Sequence, residues 1–143
     1  MPLTHTPAAI IFDMDGLIFD TEILYQQAFL AAATHGGHDM PLTLIQSTVG
    51  VPWARSRVLL LEHMGADFPV DDYFTQVVVH FDLLSATELR LKPGMLELLD
   101  LLDRLALPRA IATSSAHSTV QNHLAAHKLT DRFPTVVAHG DYV

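Results

Sequence analysis

The sequence predicts an α/β fold: an incomplete Rossmann-like parallel sheet core interrupted by an inserted all-helical module. Three observations carry this reading. Short apolar runs at residues 8–12, 109–113 and 135–138 each end in polar residues, as buried strands do. Helical patterns separate the later runs, giving the strand–helix rhythm of a parallel sheet. Between the first run and the next, residues 18–88 read as helix and turn only.

Taken in order, Ala9-Ile10-Ile11-Phe12 closes the first strand, and the acidic loop Asp13 to Asp20 follows. A helix is expected from Thr21 to about Thr34, with Asp20 or Thr21 as N-cap and Gly36-Gly37 as the stop. A second helix runs from Pro41 to Val49 and is broken by Gly50-Val51-Pro52. A third covers Trp53 to Met64 and ends at Gly65. A fourth starts near Val70-Asp71-Asp72, with the acidic pair as its cap, and continues to about Leu89. Val77-Val78-Val79 has strand propensity, but so long a stretch between caps favours helix. Lys92-Pro93-Gly94 is a turn before a leucine-rich amphipathic helix, Met95 to Leu105. The second strand ends at Ser114-Ser115, a helix spans Ser118 to His127, and the third strand leads into His139-Gly140-Asp141. The expected organisation is therefore an α/β core from residues 1–17 and 89–143, with residues 18–88 as a helical insertion.

Composition bounds the function. Of 143 residues, 50% are apolar and 17% charged, with net charge −8 and no cysteine. That is a globular composition. Its acidity argues against nucleic acid or an anionic membrane as partner, because both need basic patches. Without cysteine there is no disulfide or thiol chemistry. Met1-Pro2-Leu3-Thr4-His5-Thr6-Pro7 has neither the basic start nor the apolar run of a secretory signal. No apolar stretch is long enough to span a bilayer, so a cytoplasmic protein is expected.

The chemistry concentrates at the strand ends, where ligands of such sheets bind. Asp13 and Asp15 lie two residues apart and project to one side of an extended segment, and Gly16 permits the sharp turn after them. Their mutual repulsion calls for compensation, most simply by Mg2+, which prefers hard oxygen ligands and bridges carboxylates to phosphate. A solvated acidic turn is the alternative. Read as phosphoryl chemistry, Asp13 attacks phosphorus and Asp15 is the acid/base. The Thr113 hydroxyl and the Met14 and Ser114 amides then hold phosphate oxygens. The alternative for Thr113-Ser114-Ser115 is a helix N-cap, and a cap and an anion site are compatible.

Phe12-Asp13-Met14-Asp15-Gly16-Leu17-Ile18-Phe19-Asp20-Thr21-Glu22 resembles the first motif of the haloacid dehalogenase-like hydrolases. The likeness is to the capped phosphatase and β-phosphoglucomutase-like branch. Leu91-Lys92-Pro93-Gly94 and Ala110-Ile111-Ala112-Thr113-Ser114-Ser115 resemble that branch's approach to its second motif. The resemblance implies a Mg2+-dependent phosphatase acting on a small phosphorylated substrate through an aspartyl-phosphate. It implies Asp13 as nucleophile and Asp15 as acid/base, both at the metal, the latter through its backbone carbonyl. Met14, Gly16, Thr113, Ser114 and Ser115 are the implied phosphate-binding set.

Two departures from the family pattern shape the expectation. Mutase members carry a cap histidine and arginine where this chain has Tyr25 and Trp53, so phosphatase is favoured over mutase. Arg55 and Arg57 read as a solvated helix face, with substrate binding the alternative. Relatives also continue into a lysine motif and a later acidic motif, whereas this sequence stops at Val143 and Lys128 precedes the third strand. The expectation is a truncated or shortened chain, with the first strand as an exposed apolar edge open to self-association. The competing reading is thus a catalytically incomplete scaffold that binds or interacts. A phospho-accepting receiver fits poorly with a long helical insertion.

His123 and His127, four apart, read as a solvated helix face in preference to a Zn2+ site. His35 and His38 read as loop residues. His117 is expected near the site mouth or at a helix start. Trp53 and Phe74 read as core of the helical module.

Overall fold

A computed structural model describes residues 7–142. Met1–Thr6, where most of the segment judged to lack a signal falls, and Val143 lie outside the described residues. In chain order the elements are β1 (Ile10–Phe12), α1 (Thr21–His35), α2 (Leu42–Thr48), α3 (Trp53–Met64) and α4 (Val70–Glu88). Then come α5 (Met95–Arg104), β2 (Arg109–Ala116), α6 (His117–Ala126), a 3₁₀ turn (Thr130–Arg132) and β3 (Val136–His139). They form two compact units: one from the chain through Asp20 and from Arg90 onward, the other Thr21–Leu89.

In the α/β unit the sheet is parallel with order β1-β2-β3, as the strand–helix alternation requires. Phe12 pairs with Ile111, and Ile111 with Val136. Phe12, Ile111, Thr113 and Ala138 are buried, with Leu99, Leu102, Val120 and Leu124 supplying helical core. Phe12 meets Phe133 edge to face, centroids 5.7 Å apart. The acidic flank of α5 is held by arginines from later in the chain: Arg109 bonds Asp103 and the Leu99 carbonyl, and Arg132 pairs with Asp100 at 2.7 Å. β1 is an edge strand of the described sheet, with Ile11 72% exposed.

The segments that leave and re-enter this unit are tied to each other. The Asp20 amide donates to the Arg90 carbonyl (2.8 Å), and the Lys92 amide donates to the Ile18 carbonyl (2.9 Å). The Lys92 ammonium pairs with Asp20 at 2.7 Å. Asp20, weighed as a cap for α1, is therefore engaged by Lys92. Gly94, at φ +82°, takes the left-handed conformation that ends this crossing and starts α5.

In the helical unit α2, α3 and α4 each begin after a proline, Pro41, Pro52 and Pro69. The fixed proline φ is preorganised for a helix start, and the Pro41 and Pro52 carbonyls accept the first helical N–H bonds. Asp71 and Asp72 do not cap α4; they occupy its first turn, where carboxylates suit the helix dipole. Asp71 forms two hydrogen bonds to Arg57 of α3, which keeps the guanidinium firmly charged. Arg57 is thus an ion-pair partner and not a merely solvated residue. Val77 is buried inside α4 while Val78 and Val79 are exposed, so the valine run is helical. Buried rings anchor the core: Phe29 lies beside Tyr73 and Phe74, and Tyr25 stacks on Phe81 at 4.0 Å. Trp53, expected in this core, lies against Phe29 but is 45% exposed. The buried Tyr73 hydroxyl donates to the Phe29 carbonyl at 2.9 Å, and burial pushes its ionisation well above the ordinary phenol range.

Candidate active site at the ends of β1 and β2

β1 ends at Phe12, and the next residues make a compact turn around a buried side chain. Met14 is fully buried. Its carbonyl accepts the Ile18 and Phe19 amides at 2.9 and 3.2 Å. Gly16, at φ +73°, closes the turn by donating to the Phe19 carbonyl at 2.9 Å. Phe19 then bridges to Leu91 and is itself fully buried. Asp13 and Asp15 flank Met14, so burying the methionine presents a carboxylate on either side of it.

The two carboxylates have different surroundings. Asp13 is exposed, and its Oδ1 accepts the Met14 amide at 2.8 Å. The Met14 N–H, expected to hold phosphate, is engaged by Asp13 in this structure. Asp15 is part-buried, and its Oδ2 accepts the Ser115 hydroxyl at 2.7 Å and, at the outer limit of 3.5 Å, that of Thr113. The Ser115 amide donates to Thr113 Oγ1 at 3.1 Å. Thr113 is 7% exposed, whereas Ser114 is exposed.

Thr113 and Ser115 are two apart on β2, so strand periodicity turns both side chains toward one side. Between Ala112 and Ala116 β2 advances four residues while β3 advances two, from Val137 to His139. The slip is a β-bulge, which leaves residues 113–115 out of regular register with β3. The expected strand end at Ser114-Ser115 is therefore corrected: β2 continues through the bulge to Ala116. The capping alternative is corrected too. Ala116 occupies the N-cap position of α6, which has no side-chain cap bond.

One pair escaped the sequence reading. His117, first residue of α6, meets Asp141 at 2.8 Å, and Asp141 also accepts the Ala138 amide at 2.9 Å. The Ala138 amide, then His117, hold the Asp141 carboxyl below its usual range. A Gly-Asp directly after a strand was the available signal, since aspartate readily bonds nearby backbone in turns. His123 is a correction: it is 5% exposed and packs against Phe19 with centroids 5.5 Å apart, not on a solvated face.

The donors at Asp13 and Asp15 are hard carboxylate oxygens, with Asp13 exposed. Mg2+ is commonly held by one or two carboxylates, with water and substrate phosphate completing its shell, so these residues suit it. Among the described residues no cluster of three or more His, Cys, Asp or Glu could enclose a metal. A closed zinc site is not formed there.

The family model for haloacid dehalogenase-like hydrolases matches residues 10–142. The chain belongs to this family. It is 27% identical over 135 residues to a phosphorylated carbohydrates phosphatase of Thermotoga maritima, covering 94% of this chain and 62% of that protein. It is 30% identical over 146 residues to a probable pseudouridine-5'-phosphatase of Saccharomyces cerevisiae, covering 97% of this chain and 60% of that protein. The structure superimposes on crystalline CbbY from Rhodobacter sphaeroides, solved in complex with phosphate, with a TM-score of 0.69 and 26% identity. That match covers 95% of this chain and 64% of the other. The chain thus spans somewhat over half the length of these relatives.

Proposed function

We propose that the chain carries the nucleophile and acid/base of a Mg2+-dependent phosphatase of small phosphorylated metabolites. The observation that carries this is the bond from β2 hydroxyls to Asp15, two residues from the exposed Asp13. Asp13 attacks phosphorus and the ester bond to the leaving oxygen breaks. Asp15 gives that oxygen a proton, then takes one from the water that hydrolyses the aspartyl-phosphate. Thr113, Ser114 and the turn at Gly16 are taken as the phosphate cradle. Mg2+, held by Asp13 and Asp15, would neutralise charge on nucleophile and phosphate. Sugar phosphates and nucleoside monophosphates are the substrate classes to try first, in line with the relatives' names. Residues 18–88 are taken as the cap that sets substrate choice, and the protein as cytoplasmic.

A second reading is a scaffold without turnover, associating through the β1 edge. It is favoured by the placement of the lysines: Lys92 pairs with Asp20. Among the described residues no ion pair joins Lys92 or Lys128 to Asp13 or Asp15. Phosphate release from p-nitrophenyl phosphate with and without Mg2+ separates the two. Turnover that needs Mg2+ and disappears in Asp13→Asn supports the first, while full activity in that variant sinks the nucleophile assignment. A well-behaved monomer by light scattering counts against the association.

A further inference from the structure

We propose that Ser115 is a positioning residue for Asp15 and not a phosphate ligand. The inference rests on the phosphatase reading above and deepens it. Three bonds define the arrangement: the Ser115 hydroxyl to Asp15 Oδ2 (2.7 Å), the Thr113 hydroxyl to the same oxygen (3.5 Å), and the Ser115 amide to Thr113 Oγ1 (3.1 Å). A serine hydroxyl carries one proton, and the Ser115 proton is directed at Asp15. It is therefore not free to donate to a phosphate oxygen at the same time.

Both hydroxyls address Oδ2, and neither bond uses Oδ1. The carboxyl plane is fixed by a short hydrogen bond, and Oδ1 is the oxygen left to exchange the proton. When the ester P–O bond breaks, the Oδ1 proton passes to the leaving oxygen as Asp13 bonds to phosphorus. When water attacks the aspartyl-phosphate, its proton returns to Oδ1. Ser115 donates to Oδ2 throughout and is chemically unchanged. Thr113 and Ser115, two apart on β2, face the same side and both reach Asp15, in the stretch where the ladder to β3 slips between Ala112 and Ala116.

The leaving group makes this testable. p-Nitrophenolate departs with little protonation, whereas an alkoxide needs its proton. We expect Ser115→Ala, in the full chain with Mg2+, to lower kcat/KM about tenfold for an alkyl phosphate such as glucose 6-phosphate, a modest part of a general acid's usual contribution. For p-nitrophenyl phosphate the loss should stay within about twofold, as should any change in inhibition by inorganic phosphate. Ser115→Thr keeps the donor and should restore the alkyl rate. In thermal unfolding, Ser115→Ala and Asp15→Ala should be non-additive, because the groups are in contact. Equal losses on both esters, phosphate inhibition weakened tenfold, or additive melting shifts would each overturn the inference while leaving the phosphatase reading intact. A wild-type chain that turns over neither ester would overturn that reading and this inference with it.

Discussion

The two units use their polar side chains differently. In the helical unit most side-chain hydrogen bonds return to the helix's own preceding turn: Thr34 to Leu30, Ser47 to Leu44, Thr48 to Ile45, Thr75 to Asp71, Ser85 to Asp82. Such back-bonding satisfies a hydroxyl without joining distant parts of the chain. In the α/β unit the corresponding bonds span the sequence: Asp15 to Ser115 across 100 residues, Lys92 to Asp20 across 72, Arg132 to Asp100 across 32. The helical unit is held mainly by its aromatic core, whereas the α/β unit fixes polar groups by tertiary contact. Asp15 shows the second arrangement, its carboxyl held by hydroxyls from a strand about a hundred residues on.

This contrast can be broken or sharpened. The largest effect is expected at the exposed end of β1. Asp13→Asn should cut phosphate release by roughly a thousandfold or more while leaving the urea unfolding curve in place. A shifted curve would mean Asp13 is structural. Next is Phe19→Ala, which removes a fully buried ring lying 5.5 and 5.2 Å from the rings of His123 and His127. It should cost about 3–5 kcal/mol in urea unfolding, and a loss under about 1 kcal/mol would show that the turn does not depend on this packing.

Beside the exposed Arg57–Asp71 pair, Tyr73 is the helical unit's buried exception, its hydroxyl bonded 44 residues away. Tyr73→Phe should cost about 1 kcal/mol by the same measurement, and a neutral result would leave that unit purely packed. The smallest effect is at Asp141, whose carboxyl is held below its ordinary value by the Ala138 amide and His117. A lowered native value means the contribution is present above the unfolded carboxylate range, near 4. It is lost as pH falls through the lower native value. Asp141→Asn should therefore melt below wild type at neutral pH, with the gap closing as pH drops below about 4. A gap constant with pH would assign the effect to backbone geometry instead.

Much of the fold was legible because it is written locally. The span of α3 from Trp53 to Met64 is bounded by Pro52 and Gly65, which act on their own backbone whatever surrounds them. Parallel pairing followed from the strand–helix alternation. Errors fell where tertiary partners decide. Asp71 looked like a cap until Arg57 engaged it, and His123 looked solvated until Phe19 covered it.

The acidic turn shows the same division. By itself the sequence determined that two carboxylates follow a short apolar strand and that a glycine turns the chain after them, because strand periodicity and glycine's φ freedom are local properties. The burial expected of that strand holds only for Phe12. The sequence also showed a second strand carrying Thr113, although its end at Ser114-Ser115 was placed short of Ala116. Only the tertiary structure decided that both hydroxyls meet one Asp15 oxygen beside a bulge in β2, and that Asp13 is exposed. Bulge position depends on register between strands, and register is settled by packing across the sheet, which no single segment encodes.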